Sequence, residues 1–400
     1  MDYITVQEAA QKWEISPRWV QNYCAQGRID GAVKESGVWR IPVKAKKPND
    51  PRKTTSHQKT KKQEKVPVSS PGLMPLLNTP FVPGHCMETI EAMENGPGKK
   101  IALAEYHYFS GQAELAAEEA ELYLTCKQTD IRLSACLIYA YANLSLGQIQ
   151  HARCALAEMK KTFASATANT PPDLLAAEAF VASAAAVLLH LPLPEGLPKP
   201  QESMPLLPPG IRAFALYVQA HYLYLKQEYQ RSVGLVEASL VMGAEAYPIA
   251  AIYLHLVAVM DYMSLREQEQ AQKHLLAAWK LAQPDDLIEG LGEHHGLLGG
   301  MLEAVIKPNW PEDFKRIIDI TYRFSAGWRR VHNSVTRHDV ADNLTTTEFA
   351  TAMLAARGWT NQEIADHFGI SANTVKRHIS IALKKLKIAH RRELKQYMLL

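Results

Sequence analysis

Residues 344–387 read LTTTEFATAMLAARGWTNQEIADHFGISANTVKRHISIALKKLK, and this stretch predicts three short helices. Thr345 and Thr360 are each followed three residues later by a glutamate, which is the capping-box pattern that opens a helix. Ser371 is a third N-cap residue. Three capped helices with short turns, the last two closely joined, predict a helix-turn-helix domain over residues 344–400.

The third predicted helix, from Ser371 to about Lys387, divides into two faces. Its apolar residues Val375, Ile379, Ala382 and Leu386 recur at helical spacing and form an inward stripe. The opposite face carries hydrogen-bond donors, which at the start of such a helix are placed to enter the major groove of DNA. The donors of that face are Asn373, Lys376, Arg377, Ser380 and Lys384.

The pattern LTTTE…ARGWTNQEIA…ISANTVKRHI…LKKL resembles the LuxR/GerE-type DNA-binding domain. The resemblance implies that the third helix reads the major groove. It also implies that base and phosphate contacts fall on Thr374, Lys376, Arg377 and Ser380. Gln362 stands where this family usually has a lysine, so we expect one backbone contact to be absent.

Residues 1–45 predict a second small domain. Thr5 and Glu8 form a capping box that opens one helix, and Ser16 followed by Pro17 opens another that ends near Ala25. Two short β-prone runs, 32–34 and 38–41, flank a turn and predict a hairpin. Helix, turn, helix and hairpin together predict a small winged helix.

The wording YITVQEAAQKW…GRIDGA…WRIP resembles the excisionase/MerR-type winged helix. The resemblance implies two sets of DNA contacts, one in a major groove and one on the wing. We expect Trp13 and Trp39 to be core residues. The alternative is that this domain is a protein–protein adaptor. The implied groove residues are Arg18, Trp19, Gln21 and Asn22, and the implied wing residues are Lys34 and Arg40.

The middle of the chain, residues 76–307, is rich in alanine and leucine and shows a repeated frame. A helix ends at Gly111 or Gly147, 36 residues apart, and a second helix has an alanine five residues on. The frame recurs with Gln227 and Arg266 at the glycine position. A period of about 34 to 40 residues with paired helices resembles tetratricopeptide-like repeats. The alternative is a generic antiparallel helical bundle.

Three further segments separate or interrupt these parts. Residues 46–75 are rich in lysine, proline, serine and threonine and predict a basic disordered linker. The stretch Leu191 to Pro209 is a proline-rich break in the middle, and residues 308–343 predict a helical connector. The predicted fold is therefore mostly α, with a winged helix, a helical repeat domain and a helix-turn-helix bundle.

Charge is divided along the chain. Residues 1–66 carry a net charge of +7, residues 344–400 carry +5, and residues 67–343 carry −9. Two basic ends around an acidic middle predict two polyanion-binding modules joined by a part that binds no polyanion.

Composition predicts a folded chain in a reducing compartment. The chain is 47% hydrophobic and 21% charged, which excludes a wholly disordered protein. Its five cysteines include no C-x-x-C pair, which argues against a disulfide framework or a cysteine zinc site and favours the cytoplasm. The first ten residues do not have the pattern of a signal peptide, and no run approaches the length of a membrane helix.

No catalytic, cofactor or metal site is predicted. Gly96 to Lys100 lacks the spacing of a phosphate-binding loop, and His294–His295 lacks H-E-x-x-H spacing. The sequence therefore predicts a cytoplasmic regulator that is not an enzyme and binds double-stranded DNA. We expect a homodimer, with RNA polymerase and a peptide or small-molecule effector as candidate partners. The alternative is a helical-repeat scaffold whose end modules bind other proteins.

Overall fold

The computed structural model describes residues 3–13, 17–25, 29, 31–35, 38–47, 72–164, 170–336 and 343–398. The chain divides into two compact units, Met1–Val66 and Pro67–Leu400, which are described separately below. The described residues are mostly helical, with one small sheet, and the predicted fold class is confirmed.

The first unit contains the two predicted helices and the predicted hairpin. Its third strand was not predicted: Tyr3–Thr5 pairs antiparallel with the second hairpin strand, with Ile4 opposite Ile41. This strand is too short to show an alternating pattern in the sequence. The elements are β1 Tyr3–Thr5, α1 Val6–Trp13, α2 Pro17–Ala25, β2 Val33–Glu35 and β3 Val38–Pro42, in the sheet order β1-β3-β2.

A small core holds the first unit together. Trp13 is buried beside Val20 and Ile41, as expected for a core residue. Trp39 was expected in the core but is only half-buried, because it lies on the hairpin. The Lys34 ammonium lies 5.7 Å from the centroid of its ring. The Thr5 capping box is formed, with the Thr5 backbone N–H donating to Glu8 over 2.7 Å.

The second unit is a helical body followed by the C-terminal helices. The helices of the body are α3 Cys86–Ala92, α4 Pro97–Phe109, α5 Ala113–Glu121, α6 Thr129–Ser145, α7 Ile149–Ala164, α8 Pro172–Leu188, α9 Pro200–Ser203, α10 Pro209–Leu225, α11 Tyr229–Val241, α12 Pro248–Leu265, α13 Gln268–Ala282, α14 Glu289–His294, α15 Lys307–Asn309 and α16 Pro311–Thr336, with a π-helical turn at Leu302–Ile306. The C-terminal helices are α17 Thr346–Ala356, α18 Asn361–Phe368 and α19 Ala372–Leu386, with a final 3-10 segment at Arg391–Tyr397.

The repeated frame of the sequence corresponds to a repeated turn. Gly111, Gly147, Gln227 and Arg266 all have left-handed φ values, of 79°, 71°, 61° and 66°. After each of them, the next residue donates its backbone N–H five residues back, over 2.8 to 3.0 Å, which closes a Schellman turn. The small residues five positions on are buried between paired helices: Ala116, Ala152, Ser232 and Ala271.

A fifth turn of the same kind occurs at His190, where the sequence frame was not recognised. His190 has a φ of 51°, and the Leu191 N–H donates to the Ala186 carbonyl over 2.8 Å. The proline-rich break takes the place of the second helix that would follow, and it contains the short α9 and a 3-10 turn at Met204–Leu206. Proline cannot continue a helical hydrogen-bond ladder, so the frame is lost in the sequence although the turn is kept.

Two predicted boundaries differ from the packing. Residues 72–75 were assigned to the linker, but Leu73 and Met74 are buried in the helical body because they are large apolar residues. The predicted connector contains α16, which packs against α6 and α14 with Ile317 and Phe324 buried. The rest of the predicted linker, residues 48–71, lies outside the described residues.

The expectation that no apolar run approaches membrane length is wrong for α12. Pro248–Leu265 is long and apolar enough to cross a membrane by length and composition. However, 89% of this stretch is buried inside the helical body. Its neighbours α10, α11 and α13 pack around it, so burial on every side explains its composition.

A buried carboxyl anchors the start of the helical body. Glu105 of α4 is fully buried and accepts hydrogen bonds from the backbone N–H groups of Leu76, over 3.0 Å, and Leu77, over 2.9 Å. Burial raises the pKa of Glu105 to about 8, although both hydrogen bonds act to lower it. A carboxyl with a raised folded-state pKa stabilises the fold at low pH, and this stabilisation is lost as the pH rises through that value.

We therefore expect the Glu105→Gln variant to be less sensitive to pH than the wild type. Between pH 4.5 and 8 the wild type should lose free energy of unfolding relative to the variant, by about 1.4 kcal/mol per pH unit at most. Urea unfolding at several pH values measures this. Glu118→Gln, at an exposed position of α5, is the control. Parallel pH profiles for wild type and Glu105→Gln would contradict the assignment.

Candidate DNA-binding site

The caps predicted for the C-terminal helices are formed. Thr345 and Thr360 each accept a hydrogen bond from the N–H of the glutamate three residues later, and that glutamate bonds back to the cap residue. Ser371 Oγ accepts from the Thr374 N–H over 3.1 Å and caps α19. Gly358, with φ 83°, ends α17, and Gly369, with φ 63°, ends α18. These local signals set the start and the end of each helix.

Helix α19 presents the predicted two faces. Val375, Ile379 and Ala382 are buried, and Leu386 is half-buried at the last turn. Thr374 is also half-buried, and its hydroxyl lies 2.8 Å from Ser371 Oγ, so part of its hydrogen-bonding capacity serves the cap. The other predicted contact residues are exposed: Asn373, Lys376, Arg377, Ser380 and Lys384.

Other basic residues of this domain hold its fold. Lys385 Nζ donates to Glu348 Oε2 over 2.6 Å, which joins α19 to the capping box of α17. Burial acts to raise the pKa of Glu348, but the bonds from Lys385 and Thr345 lower it below its usual value. Arg391 donates to Asn361 Oδ1 over 2.7 Å and to the backbone carbonyl of Trp359. These cations are turned toward the protein and are not part of the exposed basic face.

Gln362 does not extend as a lysine would. Its amide donates to Asp366 Oδ1 one turn later on α18, over 2.8 Å. This intrahelical bond keeps the side chain along the helix surface.

The predicted N-terminal contact residues are only partly described. Gln21, Lys34 and Arg40 are exposed. The strand register pairs Lys34 with Trp39 and Val33 with Arg40, so Lys34 and Arg40 point to opposite faces of the sheet. The two predicted wing contacts therefore do not share one face. The side chains of Arg18, Trp19 and Asn22 lie outside the described residues.

The C-terminal helices are docked on the helical body through α17 and α18. Arg266 Nη2 donates to the Gly358 carbonyl over 3.0 Å, and the His367 ring lies 3.0 Å from the Gly299 carbonyl. Gly300 has no room for a side chain, because a Cβ there would lie 2.3 Å from the Phe368 ring. Sequence reasoning missed this interface. Its one signal is the glycine pair 299–300, whose φ values of 61° and 78° favour glycine.

The histidine pair 294–295 points in two directions. The His294 Nε2 atom lies 2.8 Å from the Tyr217 hydroxyl, whereas the His295 Nε2 atom lies 2.8 Å from Glu303 Oε1. Across the described ranges, no cluster of three or more histidine, cysteine, aspartate or glutamate side chains has a geometry that could hold a metal ion.

Three capped helices, the third with an inward apolar stripe and an exposed row of donors and cations, define a helix-turn-helix DNA-binding domain. Residues 342–398 match the family model described as bacterial regulatory proteins, luxR family. No curated protein and no solved structure matches the chain. The chain therefore carries a LuxR-type DNA-binding domain at its C-terminal end. The excisionase/MerR-type and tetratricopeptide resemblances remain predictions.

We expect Arg391→Lys to destabilise the fold, because a lysine cannot make the forked contacts to Asn361 and Trp359. The loss should be about 1–3 kcal/mol, the range for buried hydrogen bonds from a charged group. Chemical denaturation of the full chain measures it. The control is Arg392→Lys at the neighbouring exposed position, which should be within about 0.5 kcal/mol of the wild type. Equal losses at both positions would contradict the structural role of Arg391.

Proposed function

We propose that the protein is a cytoplasmic, sequence-specific transcriptional regulator that reads the major groove of double-stranded DNA through α19. The observation that carries the proposal is the exposed row of donors and cations on a helix whose other face is locked into a LuxR-type domain. Arg377 would grip a guanine edge, and Lys376 would reach a base edge or a phosphate. Asn373, Thr374, Ser380 and Lys384 complete the contact surface.

The remaining parts have proposed roles in the same regulator. The winged helix would add a second DNA contact through Arg18, Trp19, Gln21 and Asn22, with Lys34 and Arg40 near phosphates. The tetratricopeptide-like middle would sense an effector or form a homodimer. Residues 67–343 carry a net charge of −9, which would repel DNA and supports a role away from the nucleic acid. RNA polymerase is a candidate partner, and we propose no enzymatic activity.

A homodimer would let two copies of α19 read a two-fold operator. Analytical ultracentrifugation of the full chain, alone and with a selected operator, tests this. A complex of one chain on a two-fold site would overturn it.

The rival function is a helical-repeat scaffold whose end modules bind proteins. The two functions differ in how they respond to salt. The affinity of a DNA-binding protein for duplex DNA falls steeply as the salt concentration rises, because its phosphate contacts release counterions. The slope of log affinity against log salt concentration measures this effect. A full chain that binds neither random duplex DNA nor any sequence selected from a random pool would favour the scaffold.

We expect the double variant Lys376→Ala, Arg377→Ala to lose affinity for the selected operator while it keeps the stability of the wild type. The loss of the arginine should cost about 1–3 kcal/mol and relax preference at one base position. The loss of a lysine that contacts phosphate should weaken binding to all sequences and reduce the salt slope by about one unit. Fluorescence anisotropy with operator and scrambled duplexes measures both effects.

The control for this double variant is Lys395→Ala, which removes an exposed cation of the same domain outside α19. Its affinity for the operator should stay close to that of the wild type. Unchanged operator binding by the double variant would show that the assigned face is wrong.

For the N-terminal unit, we expect deletion of residues 1–45 with the linker retained to lower affinity for a long composite site. The loss should be about 100-fold when both modules bind at once, because the linker keeps the second module at high effective concentration. The linker stays in both proteins because its lysines can contact phosphates. If the full chain and the deletion variant bind natural promoter DNA with equal affinity, this would favour an adaptor role for the winged helix.

A further inference from the structure

A cavity of about 110 Å³ lies where the helical body meets the DNA-binding domain. The body contributes aromatic and polar walls, among them Tyr141, Glu293 and Trp328. The DNA-binding domain contributes Leu344, Thr346 and Phe349. A smaller cavity of about 40 Å³ shares the Tyr141, Leu188 and Glu293 walls and is otherwise almost wholly apolar. Together they form a larger and a smaller chamber, with Glu293 on the wall of both.

The Glu293 carboxylate is held in place by two tyrosine hydroxyls. The hydroxyls of Tyr108 and Tyr253 donate to its two oxygens, the second over 2.7 Å. In the part of the chain that the structure describes, no lysine, arginine or histidine lies within ion-pair distance of Glu293. Burial raises the pKa of Glu293, although both tyrosine bonds lower it. A cation bound beside Glu293 would favour the ionised carboxylate that burial disfavours.

Four imidazoles line the cavity, of which His295 faces Glu303 and the other three do not provide a positive charge. Burial lowers the pKa of His190 to about 3 and that of His294 to about 4, and it also lowers the pKa of His221. The three rings are therefore neutral near pH 7. The His190 and His221 Nε2 atoms lie 3.2 Å apart, which suits one neutral donor and one neutral acceptor. Among the described residues that line the cavity, Arg329 carries the guanidinium.

Several aromatic rings line the larger chamber, among them Tyr141 and Trp328. Trp328 is fixed by its indole N–H, which donates to the Leu188 carbonyl over 3.0 Å, and by the His332 ring stacked 4.4 Å away. Tyr141 is buried at the boundary between the chambers. Aromatic walls attract cations through the ring quadrupole, and they also pack flat apolar groups. These walls suit a ligand with an aromatic ring and a cationic head.

A series of contacts connects the cavity to α19. Phe349 packs on Gly296, where a Cβ would lie 2.9 Å from the phenyl ring. Phe349 follows Glu348, which caps α17 and accepts the 2.6 Å bond from Lys385 of α19. A ligand against Phe349 or Thr346 would therefore press on the first turn of α17, which is bonded to α19.

We propose that this cavity binds a small aromatic amine, with its ammonium group at Glu293 and its ring between Tyr141 and Trp328, and that occupancy changes the affinity of the adjacent domain for DNA. The second half of this proposal rests on the proposed function, whereas the binding of the amine does not.

Three probes of matched shape test the ligand chemistry on the full chain: 2-phenylethylamine, 2-phenylethanol and phenylacetate. Isothermal titration calorimetry should give an affinity for the amine about tenfold or more above that for the alcohol, because an ammonium–carboxylate bond is charge-assisted. Phenylacetate should bind more weakly than either. Equal binding of amine and alcohol, tighter binding of phenylacetate, or no binding of the amine would overturn the proposal.

Two variants locate the site. Glu293→Gln should lower the amine affinity about tenfold or more and leave the alcohol affinity within about threefold. Glu245→Gln, at an exposed position outside the cavity, should change neither. Ser325→Phe fills the chamber and should abolish binding of both probes, and it keeps the test decisive where Glu293→Gln does not fold. Wild-type amine affinity in the Ser325→Phe variant would place binding elsewhere and refute the cavity.

Linkage tests the coupling to DNA. The amine affinity should change by about fivefold or more when a saturating operator duplex is present, and the operator affinity should change by the same factor when the amine is present. An unchanged amine affinity refutes the coupling. If the chain binds the amine but binds no DNA, the proposed amine site is supported and the proposed function is refuted. If the chain binds DNA but does not bind the amine, only the proposed amine site is refuted.

Discussion

Arg357 ends α17 and reaches into the helical body, and the placement of the DNA-binding domain depends on the bonds that it makes there. Its Nη2 donates to the Tyr224 hydroxyl over 2.6 Å and to the Leu297 carbonyl over 3.3 Å. Burial raises the pKa of the nearby Asp261 to about 8, and the Arg357 charge acts to lower it. A guanidinium in this setting is costly to bury without these acceptors, so its geometry restricts how α17 can lie. The restriction carries over to α19, because Lys385 bonds α19 to the cap of α17.

Two carboxyl side chains of α14 lie in the interior of the helical body. Glu289 and Glu293 lie one turn apart on α14, and burial together with the Glu293 charge raises the pKa of Glu289 to about 8. Gly292, between them, has no room for a side chain, since a Cβ would lie 2.4 Å from Ile320 of α16. Close packing of α14 on α16 thus puts two carboxyls in the interior, where the Ser145 hydroxyl and the Arg323 charge act on Glu289 and two tyrosine hydroxyls donate to Glu293. This arrangement costs stability, and polar groups kept at such a cost often mark functional sites.

Local signals explain which features the sequence could predict. The caps at Thr345, Thr360 and Ser371 depend on side-chain bonds within three residues, and all three are formed. The repeated turns depend on the backbone of a few residues, so Gln227 and Arg266 could be matched to glycines. The His190 turn was missed because the helix that should follow it is replaced by prolines. Strand β1 was missed because only its partner β3, far along the chain, stabilises it.

Long-range features of the site left little trace in the sequence. The cavity is built from α6, α8, α10, α14 and α16 together with the start of α17, and no single stretch shows it. His294 and His295 lack metal-site spacing in the sequence, and in the structure their rings point to different partners, Tyr217 and Glu303. The acidic residue that faces the cavity, Glu293, precedes this pair and looks like an ordinary surface glutamate. Burial by distant helices alone makes it distinctive.

The net charge of residues 344–400 overstates how many of their lysines and arginines can contact DNA. Residues 344–400 contain nine lysines and arginines, but Arg357, Lys385 and Arg391 donate to partners inside the protein. Each phosphate contact contributes a salt slope of about −0.9 on duplex DNA, so the slope counts only cations free to reach phosphates. Under the proposed function, the slope of this domain is limited by its outward cations, which include Lys376, Arg377 and Lys384 on α19. The same division explains why a basic patch in a sequence indicates a partner class but not the contact residues.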